Sequence, residues 1–241
     1  MKKKLFVLAL VFLGGVCSFG VNTEAASIND LRFGSHVQDY GDTGFGKDKR
    51  FRTIAEMGPS GTGSGSVRQS KRMEAMFIKG STDISINTHV ENIGWLSEKL
   101  TAKEKSAGVS KRNIKGRNTT IYYQAGRGGT AGGALRVEAV EFTLTGSLAQ
   151  QYDMYYCVHA QDYGWLGWSK AKSKTEDSKS TAHKAGTAGL SKRLEAYKVV
   201  LVPKGSPAPR NVSGQKNYQY VAKDSLGRVY AYKDGKRVSA K

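Results

Sequence analysis

The chain has 241 residues, in which 38 Lys and Arg stand against 20 Asp and Glu, a net charge of +18. A surplus of that size points to polyanions as partners, and the lack of a second long apolar stretch beyond the N-terminus excludes a multi-span membrane protein. Two cysteines exclude a disulfide-stapled scaffold, so stability must rest on packing.

The first element is a secretory signal. Lys2, Lys3 and Lys4 form a basic start, Leu5 to Val16 an apolar run too short to span a bilayer, and Thr23-Glu24-Ala25 a small-residue cleavage site. Cleavage after Ala25 removes three lysines and one glutamate and leaves +16. It also leaves Cys157 as the sole cysteine, expected as a packed thiol between Tyr156 and Val158. These features fit a protein exported by a Gram-positive bacterium.

From residue 28 onward one pattern is written three times. His36-Val37-Gln38-Asp39-Tyr40-Gly41 recurs as His89-Val90-Glu91-Asn92-Ile93-Gly94 and as His159-Ala160-Gln161-Asp162-Tyr163-Gly164. Each copy has a second half around Arg72-Met73-Glu74, Arg136-Val137-Glu138 and Arg193-Leu194-Glu195. The units run over 28–79, 82–145 and 151–202, and a single unit of this size does not bury its own apolar face.

The units read as strands. Ile84 to Val90 alternates strictly. In the second half of unit two, alternation puts Arg136, Glu138, Val140, Phe142 and Leu144 on one face and Val137, Ala139, Glu141 and Thr143 on the other. Gly129-Thr130-Ala131-Gly132 and Gly186-Thr187-Ala188-Gly189 read as tight turns ahead of these strands. Unit one has Arg68 in place of the second glycine, so its turn is expected to differ. The Lys- and Ser-rich stretches Ser97 to Asn118 and Lys170 to Lys184 read as surface loops. A Pro- and Gly-rich linker over 203–210 leads to a basic, tyrosine-rich meander over 211–241, with Asp234-Gly235 as a hairpin turn. About thirty residues are marginal alone, so the meander is expected to dock on the body or on a partner. The fold class that follows is all-β with pseudo-threefold symmetry, a β-trefoil first and a β-prism second.

His-Val-x-x-x-Gly-Trp, then Gly-Thr-x-Gly, then Arg-x-Glu-Ala resembles the ChW repeat, the clostridial hydrophobic repeat with a tryptophan. Gly94-Trp95 and Gly164-Trp165 carry that part of the pattern in units two and three; in unit one Asp42 stands where the tryptophan belongs. The resemblance spans about 28–202 and implies a secreted or surface protein of Gram-positive bacteria that binds polysaccharide or mediates adhesion.

Three groups of residues are candidates for chemistry. A threefold axis would bring His36, His89 and His159 together as in a three-histidine metal site. The strand period instead places His89 with Asn87 and Glu91, away from Ile84, Ile86 and Val90, which favours a structural or ligand-facing role and no metal. The pairs Arg72/Glu74, Arg136/Glu138 and Arg193/Glu195 read as framework pairs, because equivalent carboxylates do not make the unlike pair that glycoside hydrolysis needs. Trp95, Trp165 and Trp168 either fill the core, slightly the favoured reading, or stack on sugar rings, with Trp168 the better candidate for an exposed platform. No nucleotide loop, zinc spacing, nucleophile elbow or nucleic-acid motif is present, and no cofactor is expected. The expected function is non-enzymatic binding of cell-wall or extracellular polysaccharide, such as teichoic acid or peptidoglycan. The alternative is an adhesin or effector that engages a protein receptor.

Overall fold

A computed structural model describes residues 27–177 and 179–239. The signal segment lies outside the described residues. Unit one contributes β1 (Arg32–Val37), β2 (Gly41–Thr43), β3 (Ser64–Gly65) and β4 (Met73–Lys79). Unit two contributes β5 (Ile84–Val90), β6 (Gly94–Trp95), β7 (Val109–Ile114), β8 (Arg117–Gln124), β9 (Arg127–Ala131) and β10 (Val137–Leu144). Unit three contributes β11 (Tyr152–Ala160), β12 (Gly164–Trp165), β13 (Ser169–Lys170), β14 (Lys184–Ala188) and β15 (Leu194–Pro203). The tail adds β16 (Tyr220–Lys223), β17 (Val229–Lys233) and β18 (Lys236–Val238). The protein is all-β, in three separate sheets. No barrel closes among the described residues, and the strand order singles out neither the trefoil nor the prism.

In every unit the first long strand pairs antiparallel with the unit's own last strand: β1 with β4, β5 with β10, β11 with β15. The glycine-bearing strand leaves its unit. β9 of unit two pairs with β4 of unit one, β14 of unit three with β10 of unit two, and β3 of unit one with β15 of unit three. The registers are equivalent: Ala75 opposite Gly129, Ala139 opposite Gly186, Ala196 opposite Gly65. The exchange therefore closes into a ring of three. It also corrects the turn expectation, since Gly129-Thr130-Ala131 and Gly186-Thr187-Ala188 are strand residues. The first glycine is required because it lies against its neighbour's backbone: a Cβ on Gly186 would stand 2.6 Å from the Glu138 carbonyl oxygen, and on Gly129 2.4 Å from that of Glu74.

The last strand of each unit carries one extra residue. Its register slips between Met73 and Ala75, between Val137 and Ala139, and between Leu194 and Ala196, so Glu74, Glu138 and Glu195 are the bulged residues. Strict alternation fails at this point. Val137 joins Val140, Phe142 and Leu144 in the main core, as Leu194 joins Tyr197, Val199 and Leu201. The bulge turns the glutamate away from that apolar set.

The hairpin after each histidine is also threefold. Asp39, Asn92 and Asp162 take left-handed φ of 63°, 61° and 67°, a conformation short polar side chains tolerate. The turn closes by Tyr40 N–H donating to Val37 O at 3.0 Å, with Ile93 and Tyr163 donating likewise at 3.1 Å. Arg68 was expected to change its turn and does not: its φ of 60° falls beside 79° at Gly132 and 71° at Gly189.

The free edges of the three glycine strands are covered in different ways. β9 receives the β7–β8 hairpin, and β14 receives the tail through parallel pairing with β16. At β3, Gly46 N–H donates to Gly65 O at 2.7 Å and Gly65 N–H to Gly44 O at 3.0 Å. The stretch Ser97 to Asn118 is thus not a loop. It holds a helix over Ala102–Ala107, opened by a Thr101/Glu104 capping box, and the strand β7. Lys170 to Lys184 does stay largely without regular structure between β13 and β14.

Candidate functional site

The repeated residues meet around the bulge. In unit two, Glu138 Oε1 accepts from Arg136 Nε at 2.9 Å and lies 2.8 Å from Arg136 Nη2. Its Oε2 lies 3.1 Å from His89 Nδ1. His89 presents itself edgewise to Trp95, with ring centroids 5.6 Å apart at 78°. Unit three repeats this: Arg193 Nε and Nη2 donate to Glu195 Oε1 at 3.0 and 2.7 Å, and His159 Nδ1 lies 3.1 Å from Glu195 Oε2. His159 meets Trp165 at 5.4 Å and 81°. A lysine covers each indole at 4.8 Å from its centroid, Lys184 over Trp95 and Lys198 over Trp165.

The carboxylates are buried, with one oxygen facing the arginine and the other the histidine ring. Burial pushes the Glu195 carboxyl upward, but hydrogen bonds from His159 and Arg193 outweigh it and hold it below its ordinary value. Such a group is committed to its neighbours and has little capacity left for proton transfer. The geometry fits the framework reading of Arg136/Glu138 and Arg193/Glu195.

Unit one departs from the pattern. Arg72 Nε still donates to Glu74 Oε1 at 2.9 Å. His36 Nδ1 instead sits 2.7 Å from Asp42 Oδ1. The registers show why: His36 lies opposite Asp42, as His89 lies opposite Trp95 and His159 opposite Trp165. Each histidine is thus matched to a carboxylate of its own unit, and the three are not brought to one axis.

Of the tryptophans, Trp168 is placed differently from expectation. Trp168 is 8% exposed and Trp95 7%, so neither offers an open ring face; Trp165 alone is half-buried. Trp168 as a surface platform is therefore corrected: it packs inside, on the chain that follows the third hairpin. Cys157 is buried and free, and burial pushes its thiol far up, as an inert packed thiol requires.

What composition alone did not localise is the excess of cations. Residues 98–117 hold seven Lys and Arg against Glu98 and Glu104. Residues 211–241 hold seven against Asp224 and Asp234. Both stretches build strands added to the outer edge of a glycine strand, at equivalent places in the ring. Lys103, Lys105, Lys111, Lys115 and Arg117 are exposed on the first appendage, and Lys223, Arg228, Lys233, Lys236 and Arg237 on the second. No helix among the described residues is long and apolar enough to cross a membrane.

Residues 159–203, most of the third unit, match the family described as Clostridial hydrophobic W, ChW. No curated protein and no solved structure matches the chain.

Proposed function

We propose that this chain is a secreted, non-enzymatic binding protein that holds an anionic cell-wall or extracellular polymer on two cationic β-appendages. One observation carries the reading. Among the described residues, the appendages on β9 and β14 bring seven and six cations, each against two carboxylates, to equivalent edges of the ring. The body, by contrast, spends its repeated glutamates on internal pairs. Two like-charged arms on one rigid body engage one polymer at two points, and avidity then exceeds either contact. The ChW match is compatible with a surface or binding role. Teichoic acid and peptidoglycan are the polymers in question.

A protein receptor is the second reading. Leu226 at 74% and Val229 at 49% exposure favour it, because they set apolar surface beside the cations of the tail.

Co-sedimentation with Gram-positive cell walls, with and without teichoic acid, across a salt series tests the proposal. Binding is expected to weaken steeply with salt and with teichoic-acid removal, since exposed charges are screened over about 8 Å at physiological ionic strength. Replacing Lys223, Lys233 and Lys236 by alanine is expected to lower it about tenfold without loss of fold. Binding indifferent to salt and to those lysines would transfer the case to Leu226, Val229 and a protein partner.

A further inference from the structure

An opening lies beside the place of unit one's absent tryptophan. In unit two, Trp95 fills the space between His89 and Lys184, and Lys184 stands two residues before Gly186. The same positions in unit one's surroundings are Asp42, which replaces the indole, and Arg127, two residues before Gly129. Between them lies a cavity of about 270 Å³, walled by Asp42, Phe51, Phe77, Lys79, Gln124 and Arg127.

Its wall is aromatic and its charge is positive. Phe51 and Phe77 stack nearly parallel, centroids 6.0 Å apart at 4°. The Arg127 guanidinium is sandwiched 3.6 Å from the Tyr122 centroid and 4.7 Å from that of Phe77. Lys79 Nζ lies 4.6 Å over Phe51. Neither cation has a carboxylate partner among the described residues, and Arg127 Nε is buried with no hydrogen-bond partner. The carboxylate that lines the cavity, Asp42, faces His36.

We infer that this cavity is a binding site for one pyranose unit carrying a single negative group, a carboxylate or a phosphate. Phe51, the less buried of the two rings, is the one that can meet the C–H face of a sugar, while Phe77, 5% exposed, backs Arg127. A guanidinium held flat by two rings offers its planar fork to an oxyanion, and Lys79 adds a second charge. The Gln124 amide and Asp42 supply partners for hydroxyls. A volume near 270 Å³ is enough for one ring. The inference rests on the polymer-binding reading for the class of ligand alone; the cavity itself is given by its lining.

The test titrates the chain with methyl glucuronide, glucose 6-phosphate and methyl glucoside, followed by two-dimensional NMR. The charged sugars are expected to saturate with shifts centred on Phe51, Phe77 and Arg127, and the glucoside to bind at least tenfold more weakly. Binding by the glucuronide alone assigns the carboxylate, and by both charged sugars any single anion. Arg127→Gln is expected to weaken binding at least tenfold, and Asp42→Trp, which restores the indole of the repeat, to abolish it in a folded protein. Equal binding of the neutral glucoside overturns the inference, as does charged-sugar binding that survives Asp42→Trp. Saturation by an acidic peptide where both charged sugars fail overturns it in favour of a protein partner. Cell-wall co-sedimentation of the Asp42→Trp variant separates the two proposals: retained wall binding leaves the appendage reading intact whatever the cavity does.

Discussion

Gly186 of unit three lies so close to Glu138 of unit two that a methyl group on it would stand 2.6 Å from the glutamate carbonyl oxygen and 2.7 Å from the Ala139 Cα. Its φ is 114°, a region that side-chain-bearing residues avoid. Gly186→Ala is therefore expected to cost about 3 kcal/mol, from steric overlap and backbone strain together. Urea denaturation checks it. A loss below about 1 kcal/mol would mean that the contact between units gives way freely.

Glu195 is the buried hub of unit three. Removing its charge in Glu195→Gln leaves Arg193 and His159 short of a partner, with an expected loss of about 2–3 kcal/mol. The pH dependence has a definite sign. The carboxyl is held below its ordinary value of 4.5, so the folded state binds fewer protons than the unfolded state as pH drops past that value. Its stabilisation is complete above about pH 4.5 and drains away as pH falls through the lowered value. Denaturation midpoints from pH 7 to pH 3 should converge for the parent and Glu195→Gln at the acid end.

Arg68 holds a left-handed backbone where units two and three use glycine. That conformation costs a non-glycine residue about 1–2 kcal/mol, and glycine's freer unfolded chain takes back part of the gain. Arg68→Gly is expected to stabilise the protein by about 0.5–1 kcal/mol, read as a rise in melting temperature. A fall would show that the Arg68 side chain contributes more than its backbone costs.

Trp168 is inside, so Trp168→Ala is expected to act on stability, by about 3–5 kcal/mol. Wall binding per folded molecule should stay unchanged at temperatures where the variant remains native. A selective loss of binding with unchanged melting would restore Trp168 as a contact residue.

The repeat, the all-β class and the hairpins were legible because they are written locally. Asp or Asn three residues after the histidine position, with glycine two further on, spells the turn within six residues. The helix over Ala102–Ala107 was missed: the Thr101-x-x-Glu104 cap marks it, but the Lys-rich composition around it argued for a loop. The bulges were not legible, since alternation assumes a period of two and nothing local marks Glu138 as the extra residue. The partner of each glycine strand was also hidden. Gly129 announces that bulk is forbidden there; that the obstruction is Glu74 of another unit depends on pairing across the chain. The cavity at Asp42 was half visible: the missing tryptophan could be read, whereas Phe51, Phe77 and Arg127 arrive from three separate segments.

The ring of exchanged strands fixes the copy number. In a solenoid each repeat touches only its neighbours, so copies are gained and lost one at a time. Here β3, from the first unit, is received by β15 of the last. Deleting or inserting one copy would leave a donor without a receiver or force the ring to a different curvature. Assembly follows the same constraint: Gly65 can find Ala196 only after nearly the whole chain is present, so this early strand is among the last to be seated.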